Sequence, residues 1–333
     1  MTIRYPLPVQ FIMGLNDSGL EIIEPKPGRQ PQIILSGTCS YHVHLTPGKF
    51  RLRKIWLSGK AEDQHLAKGP APLVNYIADP DSHSHALAKA MDLVRADGRR
   101  CFNRPGRILQ TRRDLIYERL KDIPGLRVPA TIRIEPKHPH DFVRAATEAR
   151  LRFPVIVRLA GDHGGVSTVR VDSVANWVAI HTVAWGGRAV YMTEFFDYAD
   201  PDGLYRKYRI VMIDGKPVLR HVIIGDQWLL HRSKRITNPE AEQEEIHRLK
   251  NFEREMLPKI ASTLAEIHRR LDLNFFGIDC HVAENGMMTL FEANATMNTL
   301  HNEPSPNRWD EPCARIRGLL EAALEKHVRS QMQ

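Results

Sequence analysis

The stretch 275-FFGIDCHVAENGMMTLFEAN-294 decides how the chain is read. It divides into two short β-type runs joined at Glu284, Asn285 and Gly286, and Asn-Gly between such runs is a strong hairpin signal. Asp279 lies on the first run, Glu292 and Asn294 on the second. Side chains alternate along a strand, so Glu292 and Asn294 share a face, and closing the hairpin can bring Asp279 near it. Three hard oxygen ligands on adjacent strands suit Mg²⁺, which takes one or two carboxylates together with nucleotide phosphates. A polar hairpin face with no ligand is an equally good reading of these residues alone.

Working upstream, 152-RFPVIVRLAGDHGGVSTVRV-171 reads as strand, glycine loop, strand. Val155, Ile156 and Val157 form a buried-type run, and residues 166–171 alternate. Gly161, Gly164 and Gly165 allow sharp turns that bring backbone N–H groups close to an anion. Arg158 leads into the loop with a permanent cation. The loop lacks the Gly-Lys-Ser/Thr of a Walker motif, and taken alone it is also an ordinary hairpin turn. Next, 188-RAVYMTEFFD-197 reads as a strand running into an exposed linker. The run 205-YRKYRIVMI-213 is a strand that places Lys207 and Arg209 on one side.

In this order the pieces resemble the ATP-grasp superfamily, and within it the carboxylate–amine ligases that include the ribosomal-protein glutamate ligase and D-alanine–D-alanine ligase. The likeness runs over about residues 103–298, and the Asp279…Glu292-Ala-Asn294 element is its most specific part. It implies an α/β (α+β) chain with an N-terminal α/β substrate-side domain at 1–110. A first helix and a lid with the glycine loop would follow at 111–192, and a C-terminal metal-binding subdomain at 193–333. It also implies that Asp279, Glu292 and Asn294 hold one or two Mg²⁺ ions bridging the ATP phosphates. Glu194 would accept from the adenine amino group beside the backbone of Phe195 and Phe196, with Phe291 packed on the ring. The loop from Gly161 through Gly164 and Gly165 to Ser167 would close over the terminal phosphates. Arg113 and Arg158 stand where the family usually has phosphate-touching lysines. Lys207, Arg209, His231 and Arg232 would supply further phosphate and substrate contacts, with Arg209 and Arg232 as the catalytic pair and Arg232 steadying an oxyanion.

Two departures bear on substrate and pose. Arginine in place of lysine keeps the charge but exchanges a compact ammonium for a planar fork. Gly277 stands where the D-alanine ligase has an arginine that grips a substrate carboxylate, which points away from D-alanine. A third departure, 198-YADPDG-203, lengthens the segment after the linker.

The implied activity is amide formation from a carboxylate and an amine through an acylphosphate, with ATP and Mg²⁺ as cofactors. A small-molecule kinase on the same fold, or a nucleotide-binding regulator without turnover, are the alternatives. Composition agrees. Net charge is +8, with 47 Lys+Arg against 39 Asp+Glu, yet no run of five or six basic residues or nucleic-acid signature appears, so nucleotide and an anionic substrate are preferred to nucleic acid. Cys39, Cys101, Cys280 and Cys313 show no paired spacing, which suggests a reduced compartment. With no signal pattern or long apolar run, a cytoplasmic protein free of membrane contact is expected, and the resemblance allows a homodimer, as relatives often form.

Other expectations concern local structure. Strands are expected at 9–13, 32–35 and 72–78, and helices at 85–95, at 111–121 with Thr111 as N-cap, and at 141–150. Ser173 should cap another helix, and a long helical stretch at 238–271 should be interrupted at Pro258. Residues 316–324 make an apolar stripe. His42 and His44 would share a face of a possible strand, and His83 and His85 form a similar pair. Histidines so spaced can chelate zinc, but no carboxylate or cysteine set accompanies them, so surface or pocket roles are preferred.

Overall fold

The run 7-LPVQFIMG-14 is apolar apart from Gln10, as a strand covered on both faces requires. In a computed structural model of the chain, which describes residues 6–19, 22–24, 32–34, 37–39, 41–58, 71–163, 165–300 and 304–331, it forms β1 (Leu7–Gly14). A hairpin of β2 (Ile22–Glu24) and β3 (Gln32–Ile34) follows, then β4 (Phe50–Leu57), β5 (Leu73–Asn75), α1 (Ser84–Asp97) and β6 (Cys101–Phe102). Strands β4, β1, β5 and β6 make a parallel sheet in that order. The expected strand at 72–78 is shorter because Asn75 turns the chain: its amide donates to the carbonyls of Ile77 and Asn103, and its oxygen accepts from the Ile77 N–H. Leu35, the end of the strand expected at 32–35, lies outside the described residues.

Residues 105–120 hold two short helices, α2 (Pro105–Ile108) and α3 (Arg113–Leu120), linked by a 3₁₀ turn. Thr111 is therefore not the expected cap. Its hydroxyl donates back to the Ile108 carbonyl at 2.8 Å, and extended Arg112 occupies the cap position. Strand β7 (Leu126–Arg127) precedes a second sheet of β8 (Thr131–Ile134), α4 (His140–Glu148), β9 (Val155–Leu159), β10 (Val169–Val171) and β11 (Val190–Glu194). Its strands run antiparallel in the order β10-β9-β11-β8. β10 is shorter than the alternation at 166–171 suggested, and Val166 is 94% exposed. Beyond Ser173 the chain forms 3₁₀ turns, and the Ser173 hydroxyl donates to the Asn176 side chain instead of accepting from the backbone as a cap.

The third sheet is built from β12 (Tyr205–Ile213), β13 (Lys216–Gly225), β14 (Phe275–Val282) and β15 (Met288–Asn294), in the order β13-β12-β14-β15-β7. Helices α5 (Pro239–Asn251), α6 (Leu257–Leu271) and α7 (Asp310–Gln331) accompany it. A π-helical turn (Phe252–Met256) separates α5 from α6, with Pro258 in the first turn of α6, where its missing N–H is tolerated. Ile260, Leu264, Ile267 and Leu271 of α6, and Ile316, Leu320 and Leu324 of α7, are buried. The first and third sheets share one core, whereas the second has its own around Phe142, Val157 and Met192. Among the described residues no helix is long and apolar enough to cross a membrane.

Two bulges shape the third sheet. Arg220 is the extra residue of β13 opposite β12, and Phe291 the extra residue of β15 opposite β14. A bulge bends the strand and re-aims side chains that would otherwise alternate.

Glu321 of α7 ties the third sheet's helix to the first. Its buried carboxylate accepts from the Thr46 N–H at 2.7 Å and pairs with Lys49 at 2.9 Å. Burial pushes its pKa up, but Lys49 and the Thr46 N–H outweigh that and hold it below the ordinary value. A depressed folded pKa stabilises above the unfolded pKa, and the contribution disappears as pH falls through the folded value. Urea unfolding at pH 7 should show Glu321→Gln less stable by about 1–3 kcal/mol. The gap should narrow in acid below the ordinary glutamate range.

Candidate functional site

Asp279 and Glu292 occupy directly opposed positions on β14 and β15. They lie in a cleft of about 980 Å³ that the second sheet, the third sheet and the loop after β5 line together. The Phe291 bulge allows consecutive Phe291 and Glu292 both to line it, and Asn294 follows. Like charges opposed across a ladder repel. Here each carboxylate is held by cations. Arg209, opposite Asp279 on β12, donates from Nε at 2.7 Å and Nη2 at 2.9 Å, and Lys207 Nζ is 3.7 Å away. Arg113, at the start of α3, donates to Glu292 at 2.5 Å and to the Phe291 carbonyl at 2.8 Å. Burial raises both carboxyl pKa values, but Arg209 and Lys207 outweigh it at Asp279, and Arg113, His163 and Arg158 hold Glu292 well below the usual range. Burial in turn lowers Lys207, whose Nζ donates to the Leu230 carbonyl.

Asn294 lines the cleft with its oxygen already engaged. Oδ1 accepts from the Thr296 N–H at 3.0 Å, the Thr296 hydroxyl at 2.8 Å and the Met297 N–H at 3.1 Å, which fixes the turn at 294–297.

The glycine loop contributes unevenly. Gly161 and Gly165 take positive φ of 77° and 71°, a backbone conformation that favours glycine. Gly165 lines the cleft; Gly161 does not, and Gly164 lies outside the described residues. Ser167 also stays off the cleft wall. Its N–H and hydroxyl both donate to Asp162 Oδ2, and its oxygen accepts from the Leu159 N–H, so it shapes the loop. Arg158 lines the cleft and donates to the Asp162 carbonyl, and burial together with Arg113 lowers its pKa to about 10.

His163 was not singled out in the sequence, yet it joins three parts of the molecule. Its Nε2 lies 3.2 Å from Asp79 Oδ2 and its Nδ1 3.4 Å from Glu292 Oε1. Burial disfavours its charge, but the two carboxylates prevail and raise its pKa to about 10. Asp79 is 2% exposed and held low by the same contact against the opposing effect of burial. Beside it Asp81 accepts from the Tyr191 hydroxyl at 2.7 Å and lies 3.6 Å from Arg133.

Glu194, Phe195 and Phe196 all border the cleft. Glu194 accepts from the Arg152 N–H at 2.8 Å. Phe195 meets Trp228 edge-on, and Phe196 lies under the Arg127 guanidinium at 3.8 Å. Phe291 packs on Tyr198, whose hydroxyl donates to the Trp228 carbonyl. In the lengthened segment, Asp200 and Asp202 pair with Arg206. His231 and Arg232 are exposed at the cleft wall.

The sequence also missed Arg220, His221, Trp228 and Trp309 as lining residues. Strand period two predicts that only one of 220 and 221 faces the cleft, and the bulge admits both. The described histidines of the two pairs form no site. Residues Tyr41–His44 are a 3₁₀ turn, not a strand, and the His42 side chain lies outside the described residues. His83 is fully buried against Ser82, and His85 is exposed beside Asp17. Among the described residues no group of three or more His, Cys, Asp or Glu side chains is placed to hold a metal. The candidate is instead a two-carboxylate pair.

No protein-family profile and no curated protein matches the chain. Solved structures do match. The D-alanine–D-alanine ligase of Bacillus anthracis is 14% identical with a TM-score of 0.51, covering 98% of this chain and 97% of that one. The VanG D-Ala:D-Ser ligase of Enterococcus faecalis is 11% identical with a TM-score of 0.54, covering 97% and 99%. The D-alanine–D-alanine ligase of Coxiella burnetii gives 12% and 0.51, covering 98% and 97%. At these identities the likeness is one of fold: the chain has the ATP-grasp fold seen in carboxylate–amine ligases.

Gly277, paired with Asn294, has no room for a side chain. A Cβ there would meet Met297 Sδ at 2.5 Å and Cβ at 2.9 Å, in the turn that Asn294 holds. Gly277→Ala should therefore lower stability by about 1–3 kcal/mol through overpacking. Thermal unfolding unchanged from wild type would show that the turn yields freely.

Proposed function

We propose that the protein is an ATP-dependent carboxylate–amine ligase that works through an acylphosphate. The observation that carries this reading is the opposed Asp279–Glu292 pair, with Arg113, Arg158, Lys207 and Arg209 around it, in a cleft large enough for a nucleotide and a second substrate. Adenine would lie by Glu194, Phe195, Phe196 and Phe291. The triphosphate would run toward the glycine loop and the basic groups of β9 and β12.

The donor chemistry fits magnesium at the two carboxylates, which are hard anionic oxygens, while Asn294 already has three donors on its oxygen. When bound, the metal would neutralise phosphate charge as it moves in the transfer. The protein's own groups act by position and field. Phosphate oxygens attract Arg113, Arg158 and His163, the cations that now hold Glu292. Nucleotide binding would thus free the carboxylate face as it draws the loop inward. A substrate carboxylate takes the γ-phosphoryl group, giving ADP and an acylphosphate. An amine then attacks the acyl carbon, Arg232 steadies the oxyanion, and orthophosphate leaves as the amide forms. Loop closure keeps water from the acylphosphate.

The ratio of orthophosphate to ADP, measured with Mg-ATP and pooled amino acids and small carboxylic acids, tests the reaction. Equal, substrate-dependent release is expected; ADP without matching orthophosphate means the phosphoryl group stays on an acceptor, as in a kinase. Glu292→Gln should reduce this turnover by at least about 100-fold. Wild-type rates in that variant would remove the assignment of Glu292.

A further inference from the structure

Four guanidinium groups surround one indole beside the cleft. Arg308, Arg235, Arg220 and Arg232 lie 4.7, 5.3, 5.9 and 6.0 Å from the Trp309 ring centroid. Like charges gathered this closely repel, and the indole face offsets only part of that. Glu245 pairs with Arg235 and Arg308, each at 2.7 Å. Arg220 has no carboxylate partner among the described residues.

Arg220 is 1% exposed. Its Nε donates to the Thr299 carbonyl at 2.8 Å, but its Nη1 is buried and has no hydrogen-bond partner among the described residues. The neighbouring His221 Nε2 is also buried without a hydrogen-bond partner among the described residues. Leaving such donors unsatisfied is strongly unfavourable unless a ligand completes them. The bulge opposite Arg209 lets both consecutive residues line the cleft. Burial, with Arg209 and Arg220 nearby, keeps His221 uncharged, so its unpartnered nitrogen can serve as a neutral N–H donor.

Charge over the whole cleft points the same way. Among the described residues, eight arginines and lysines line it against five aspartates and glutamates. One magnesium ion offsets about half of a triphosphate's charge and two offset nearly all of it, so the nucleotide alone does not absorb the excess.

We propose that Arg220 and His221, with Arg232 beside them, form a subsite for a second oxyanion on the substrate, so that the molecule activated or joined carries a carboxylate or phosphate beyond its reacting group. This rests on the ligase reading for the word substrate, but the anion site itself does not. An arginine fork and one N–H donor suit the paired oxygens of such a group.

Calorimetric titrations of wild type, Arg220→Met, Arg220→Lys and His221→Leu test it, with acetate, succinate and glycerol 3-phosphate as probes, each with and without Mg-ADP. Wild type should bind succinate or glycerol 3-phosphate at least about tenfold more tightly than acetate, and Arg220→Met should abolish that preference while Arg220→Lys keeps part of it. Which dianion wins tells carboxylate from phosphate. Equal binding of all three probes by wild type, or an undiminished preference in Arg220→Met, overturns the proposal. Should Arg220→Met not fold, His221→Leu decides by the same loss of preference. Failure of Mg-ADP to bind while the dianion preference persists would remove the nucleotide reading and leave the subsite standing.

Discussion

The structure turns on how two opposed carboxylates are kept charged away from water. Asp279 and Glu292 face each other across β14 and β15, where repulsion and burial both favour protonation. Cations from three separate places prevent it: Arg209 from β12, Arg113 from α3, and His163 from the glycine loop. Removing one partner of such a pair typically costs about 3–5 kcal/mol, because the other is left buried and alone. The third sheet, the first helix after residue 110 and the loop of the second sheet therefore converge on one electrostatic requirement.

That arrangement also connects the parts of the molecule. The second sheet packs on its own core, and His163 reaches from its loop to both Asp79 and Glu292. Tyr191 and Arg133 meet Asp81 beside that contact. The same cations that neutralise the carboxylates are the groups phosphates would attract. Under the proposed function, nucleotide, metal and loop position would then be coupled through competition for a few arginines and one histidine.

What was legible in the sequence followed from periodicity and turn chemistry. The Asn285-Gly286 turn gave the hairpin, and period two placed Lys207 and Arg209 on one wall. The illegible parts depended on departures from regularity or on contacts distant in sequence. The Phe291 and Arg220 bulges change which side chains face the cleft, and no local pattern announces an extra residue in a strand. Thr111 and Ser173 look like caps by residue type, but each hydroxyl donates to another partner. Asp79 and His163 are 84 positions apart in number and meet only through the fold. The engagement of Asn294 by its own turn was equally invisible, since a metal-type residue and a turn-forming one have the same spelling.

The most direct test of the account is manganese binding, followed by electron paramagnetic resonance with and without ADP. If arginines and His163 hold the carboxylates until phosphates draw them away, Mn²⁺ should bind tightly with ADP present and at least about tenfold more weakly without it. Equal Mn²⁺ affinity in both conditions, or none in either, would contradict the central claim.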